Sequence, residues 1–356
     1  MIARQRLHRI QPAPGGEGVP FVEIKNALFY MAHSRRNSIL IAQGGVHPQS
    51  PLFSDSPKSI ERFARAETNR ARGPLIRVGR FVAVHTGSIA TTVDRGILIA
   101  GPAHNWFHWL VEILPTIFLA DRAEQYWSKW PLIIRKEPLE KPNFSELLAW
   151  VAPRHQVVTV PARAFSRVKK VIVLAPPTRP GSVDFGIFNR LAHGARSGFD
   201  FSLMKRYRAH LLEFVGSAAS GDSPERVFLV RSESSNRQHN QSELIEVAQQ
   251  FGFVTVDPEQ YELKILWKIL SKAQCVIGAQ GAAWANTIIC EAGSRGLQWS
   301  GGALRGEHFL SLAKLVGMRL DTLVGDGDHD GYFKVDLAEF KSRLETMVSD
   351  TNPDGE

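Results

Sequence analysis

Several stretches of this chain combine residue types and spacings that could carry chemistry. In GPAHNWFHWLVEILP, residues 101–115, His104, His108 and Glu112 recur at i, i+4 and i+8, which places them on one helical face, while Trp109, Leu110, Ile113 and Leu114 fill the apolar side. Histidine titrates near neutrality, so His108, close to the end of a strand and beside a loop carrying Asn105, is equipped to be a general base. The same residues admit a half-buried helix histidine bonded to a carbonyl. They also admit a metal set of His104, His108 and Glu112, although H-E-x-x-H is missing. Pro115 falls inside the helical pattern and predicts a kink or restart there.

A second stretch, RSESSNRQHN at 231–240, follows the apolar run FLV. Arg231 and Arg237 on a strand-to-helix loop could fork onto phosphate oxygens, and Asn240 or Ser242 could cap the next helix, which suits a diphosphate. The plain alternative is a solvated basic loop with an ordinary cap, and no Walker loop occurs. A third, CVIGAQGAAWAN at 275–286, ends a strand in Gln280, Gly281 and Ala282, small residues that let a ligand approach the backbone; tight strand–helix packing asks for the same residues. Farther on, Gln298 ends another strand and could bond ribose hydroxyls or simply satisfy a loop. The acidic run Asp326, Asp328, Asp330 opens like a calcium loop, but its twelfth position is Leu337, so a polar surface turn is expected.

The elements that must position these groups follow from the pattern of the whole chain. Its 356 residues, 44% hydrophobic and 22% charged, suffice for two buried cores and exclude disorder and collagen-like repetition. Cys275 and Cys290 make no disulfide framework and no zinc pattern, the simplest reading being a reducing compartment. No signal-peptide core follows the basic first residues, and the apolar run 109–120 is too short to span a bilayer and holds Glu112 and Pro115, so a soluble protein is expected. The net charge of +8 points to contact with phosphates, whether of nucleotides, nucleic acid or a membrane surface. A nucleic-acid partner is not expected, because Arg35, Arg36, Lys169 and Lys170 are scattered and no RNP-like strand or recognition helix occurs.

Short apolar runs alternate with helical patterns on both sides of the loop GSAASGDSPE at 216–225. The first half ends in a long amphipathic helix over about 185–215; the second reads as regular βαβ units from 227 to 324. The expected fold is α/β, two Rossmann-like domains facing each other across a cleft, with residues 1–220 in one and 221–356 in the other.

Asn105-x-x-His108-Trp109-Leu110-x-Glu112-x-Leu114-Pro115, Arg231 with Arg237 and Asn240, Gly281-Ala282-Ala283-x-x-Asn286 and Gly293-Ser294 occur in an order that resembles glycosyltransferase family 61, whose bacterial members often serve capsular polysaccharide biosynthesis. The resemblance implies a GT-B fold and inverting transfer from a nucleotide sugar, a UDP-sugar being favoured, with no obligatory metal and no cofactor. It implies His108 or Glu112 as base, His104, Asn105 and Trp109 on the acceptor side, and Arg231, Arg237, Asn240, Gln280, Gly281, Ala282, Asn286 and Gln298 around the donor. The implied acceptor is a glycan or lipid-linked glycan, in the cytoplasm or peripherally at the inner membrane. Many relatives carry His where this chain has Gln280, an acidic residue at Gln298 and Gln at Lys264; the two glutamines keep hydrogen bonding but remove a proton acceptor. Two other function classes stay open: a catalytically degenerate nucleotide- or glycan-binding protein, and a metal-dependent hydrolase or transferase.

Overall fold

The computed structural model describes residues 21–31, 38–42, 45–46, 75–78, 81–84, 89–99, 103, 105–161, 164–174, 177–178, 199–216, 223–232, 238–302, 307–327 and 332–349. The chain divides into two compact units, Met1–Leu203 and Met204–Glu356, each a mixed α/β structure. The division falls inside helix Phe201–Val215, ahead of the 216–225 loop. Most of that helix goes with the second unit because its partners lie there: Phe214 meets Trp267 edge to face at 5.8 Å, and Arg208 donates to the carbonyls of Ile288 and Cys290. The expected helical residues 185–198 lie outside the described residues.

In the first unit the strands β1 (Phe21–Met31), β2 (Ser38–Ala42), β3 (Gly45–Val46), β6 (Ile89–Leu98), β7 (Leu132–Arg135), β8 (Val157–Val160) and β9 (Phe165–Leu174) form one sheet in the order 3-2-1-9-6-7-8. A separate hairpin pairs β4 (Leu75–Val78) with β5 (Phe81–Val84). Strands β9, β6, β7 and β8 run parallel, and LIIR of β7 is buried throughout, as expected of a strand covered on both faces. The sheet departs from the all-parallel expectation at one side, where β1 joins β9 antiparallel and β2 and β3 follow as antiparallel neighbours. In chain order the parallel strands progress from β6 through β7 to β8 and then reverse, β9 lying on the other side of β6. In an open α/β sheet the carboxyl ends of the strands beside such a reversal, here β6 and β9, are the usual place for a ligand.

In the second unit β10 (Arg226–Leu229), β12 (Val254–Val256), β13 (Cys275–Ala279), β14 (Arg295–Gly301) and β15 (Arg319–Gly327) are parallel in the order 12-10-13-14-15. This is the doubly wound order 2-1-3-4-5, and its reversal lies between β10 and β13. β11 (Gln238–His239) and β16 (Tyr332–Lys334) complete the sheet, β16 antiparallel to β15. The helices Gln241–Gln250 and Leu337–Ser349 bury Leu244, Ala248, Phe340 and Leu344 with Phe228 and Trp299 of the strands. Asp326 and Gly327 of the acidic run are strand residues paired with Lys334 and Phe333, and 328–331 lie outside the described residues.

Candidate active site

Each unit places its chemically equipped residues at its own strand reversal. In the first, β6 leads through Asn105 into one continuous helical stretch whose geometry changes along its length: α-helical over Trp106–His108, a π-turn over Trp109–Ile113, α-helical again over Leu114–Arg122. Asn105 is its N-cap, with extended backbone, its Oδ1 accepting from the amide of His108 at 3.4 Å. The restart at Pro115 is where the sequence places it, and the cause is visible. Proline has no N–H to give the carbonyl four residues back, and that carbonyl, Val111 O, instead accepts the hydroxyl of buried Thr178 at 2.9 Å.

On this stretch His108 Nδ1 lies 2.8 Å from Glu112 Oε2. With the carboxylate ionised, Nδ1 carries the proton it donates and Nε2 is left as the acceptor, the nitrogen that could take a proton from a substrate hydroxyl. The His108 side chain is 33% exposed and Glu112 12%, so the histidine is the member of the pair that solvent and substrate reach more readily. Trp109 is fully buried against Phe144, ring centroids 5.3 Å apart, and is therefore a core residue rather than a face for an acceptor. His104 lies outside the described residues.

In the second unit β10 leads to Arg231 and β13 to Gln280 and Gly281. Arg231 is held at both ends: its amide donates to Gln241 Oε1 at 2.8 Å, its carbonyl accepts from Gln241 Nε2 at 3.0 Å, and its guanidinium donates to the Gln280 carbonyl. A β-carbon on Gly281 would come within 2.9 Å of Arg231 Nη2, so glycine is what lets the arginine lie across this turn. Gly281, Ala282 and Ala283 stay half-exposed. Next to them Gln280 and Gln298 are 7% and 1% exposed, yet Gln280 Nε2 and Gln298 Oε1 have no hydrogen-bond partner. A buried amide left unpaired costs about 1–3 kcal/mol and marks a place where a ligand or water completes the set.

Two expected donor contacts turn out to be scaffold. Asn240 makes no cap bond to the helix after it; its side chain is buried, accepts from Val335 N at 2.9 Å and donates to Val335 O and Glu243 Oε2 at 3.1 Å each. Asn286 is 2% exposed, accepts from Trp267 Nε1 at 2.9 Å and donates to Ala283 O at 3.0 Å. It belongs to Ala282–Ile289, which winds as a 3-10 helix. Asn286 and Thr287 both donate to carbonyls three residues back, side-chain bonds that suit the tighter winding. Arg237 lies outside the described residues.

Among the described residues no group of three or more His, Cys, Asp or Glu is placed to hold a metal ion, and no helix is long and apolar enough to cross a membrane. Cys275 and Cys290 are buried and free, and burial pushes the Cys290 thiol up to about 12, so neither is a ready nucleophile. Sequence reasoning passed over Thr178, Gln241 and His239. Thr178 acts across 67 residues of chain, a distance no local pattern spans.

The comparison with known families says what class of protein carries these two sites. The family model for glycosyltransferase 61 matches residues 106–297, more than half of the chain. The chain belongs to glycosyltransferase family 61 and is a glycosyltransferase by that membership. No curated protein matches it.

Proposed function

We propose that this protein is an inverting glycosyltransferase that moves a sugar from a nucleoside-diphosphate sugar, with UDP-sugars favoured, to a hydroxyl of a bacterial surface or extracellular polysaccharide. The observation that carries the reading is the His108–Glu112 pair at 2.8 Å at the strand reversal of the first unit. His108 Nε2 takes the proton of the acceptor hydroxyl, that oxygen bonds to the anomeric carbon from the face opposite the leaving group, and the bond from that carbon to the diphosphate oxygen breaks with its electron pair going to the phosphate. Glu112, bonded to Nδ1, fixes the ring's orientation and balances the charge the ring gains.

The second unit holds the donor in this proposal. The doubly wound sheet, the open Gly281–Ala283 turn and the unpaired Gln280 and Gln298 amides support that assignment. Arg231 and Arg237 neutralise the diphosphate, metal ions not being required, and the fold is of the GT-B type. The protein works in the cytoplasm, with peripheral attachment to the inner membrane where a lipid-linked acceptor is used; its charge of +8 favours an anionic surface.

The test is release of nucleoside diphosphate from UDP-glucose, UDP-galactose, UDP-xylose, UDP-N-acetylglucosamine and GDP-mannose, each with and without EDTA, before and after His108→Ala. Chelator-resistant release from one donor, lost in the variant, is expected. Chelator-sensitive release would favour a metal-dependent enzyme. Nucleotide binding without any release would favour a degenerate binding protein.

A further inference from the structure

The π-turn under the His108–Glu112 pair is an energetic oddity. A π-turn is rare, winds less favourably than an α-helix, and persists where the surroundings hold it, often at functional sites. Here it occupies Trp109–Ile113, between the histidine and the helix restart, and includes Glu112. Its last amide bond runs from Leu114 N to Trp109 O, and the next residue, Pro115, offers no donor at all. The carbonyl this strands, Val111 O, is buried and turned into the first unit, where the Thr178 hydroxyl meets it at 2.9 Å. Thr178 is 3% exposed and follows β9, whose end flanks the other side of the same strand reversal. Its own segment is fastened in turn, Pro177 O accepting from Asp200 N at 2.9 Å.

We infer that Thr178 is a positioning residue for the His108–Glu112 pair: its hydroxyl stands in for the N–H that Pro115 lacks and so keeps the π-turn, and Glu112 upon it, in the geometry that holds the histidine. The inference rests on the proposed role of His108 for its link to turnover, but not for its structural half. Glu112 sits one residue beyond the carbonyl that Thr178 fixes. Without the hydroxyl, Val111 O is left buried and unpaired, and the turn can reach another donor or water only by shifting, which alters the approach of Glu112 to Nδ1.

The test uses the full chain with Thr178→Val, Thr178→Ser and the pair Pro115→Ala with Thr178→Val. The first readout is the imidazole ¹⁵N spectrum of His108, assigned by its loss in His108→Ala. The second is turnover with the nucleotide sugar selected by the release assay. Thr178→Val should convert a spectrum dominated by the Nδ1-protonated tautomer into a mixture, lower kcat about tenfold with donor KM within twofold, and lower Tm by about 2–4 °C. Thr178→Ser, which keeps the hydroxyl, should restore all three. The double variant tests the stand-in directly: alanine at 115 can donate to Val111 O, so Tm, the Nδ1-protonated tautomer and kcat should all return toward the unsubstituted values. An unchanged His108 spectrum in Thr178→Val, or a double variant in which Tm returns while the tautomer mixture and low kcat remain, would overturn the inference. Failure of the base assignment shows separately, as undiminished turnover in His108→Ala whatever Thr178 does.

Discussion

The two strand reversals of this protein are built alike and finished differently. In the first unit the groups around the proposed base satisfy one another, Asn105 with the His108 amide, His108 with Glu112, Val111 O with Thr178, and the buried atom left unpaired on that stretch is the indole N–H of the core residue Trp109. In the second unit the backbone is equally well tied, through Arg231, Gln241 and Gln280, but two buried carboxamides are left with an unpaired atom each. The difference fits a division of labour. A base must be oriented before the substrate arrives, because orientation gained in advance costs nothing at the transition state. A binding surface can leave groups for the ligand to complete, and the ligand then stabilises the unit that holds it.

The largest expected effect breaks the finished side. His108→Ala should lower kcat by roughly 10²–10⁴ with folding intact, measured as nucleoside diphosphate release at saturating donor. A loss under tenfold would move the role of base to Glu112. Next comes a scaffold bond in the second unit. Asn286→Ala strands the Trp267 indole N–H, which now donates to it at 2.9 Å, and removes the bond to Ala283 O, so unfolding free energy should fall by about 2–3 kcal/mol in urea titration. The same unit should respond in the opposite sense at its unfinished positions. Gln298→Leu removes a carboxamide whose oxygen has no partner, so the free protein should be no less stable, while donor KM rises about tenfold, or about 1.4 kcal/mol. Loss of stability with unchanged KM would make Gln298 a structural residue and dissolve the contrast.

Most of this architecture could be read from the sequence where a strand or helix announces itself locally. The parallel strands between 226 and 327 fall within the βαβ alternation that periodicity predicts, and the helical restart follows from Pro115 alone. What could not be read depended on partners far along the chain. Strands β1 to β3 escaped because their pairing, to β9 and to one another, joins residues 21–46 to 165–174 with little local punctuation. Asn240 and Asn286 looked like ligand contacts because an asparagine beside a glycine turn or a basic loop has the same local appearance in either role. Their engagement with Val335 and Trp267 decides the matter, and it is tertiary. Thr178 is the sharper case: the defect it repairs is legible at Pro115, but nothing local says which hydroxyl repairs it.

The smallest effect at neutral pH concerns His239, which lies next to Asn240 in the second unit and, like the two glutamines, holds a buried polar atom with no hydrogen-bond partner. Its ring is 7% exposed, stacks on Phe333 at 5.2 Å with 9° between planes, and has neither nitrogen hydrogen-bonded. Burial, helped by the nearby Arg231 charge, lowers its pKa from 6.5 to about 4. The unfolded chain therefore binds a proton below 6.5 that the folded chain refuses until about 4, so stability from this group is full above 6.5 and is lost as pH falls toward 4. Between pH 7 and 4.5 the loss should be about 2–3 kcal/mol. His239→Phe keeps an aromatic face on Phe333 and has nothing to protonate. It should leave stability at pH 7 within about 0.5 kcal/mol and flatten the decline between pH 6.5 and 4.5, read from urea midpoints at each pH. If the decline survives the substitution, other groups carry it; if His239→Phe also raises donor KM about tenfold, His239 belongs with Gln298 among the groups a ligand completes.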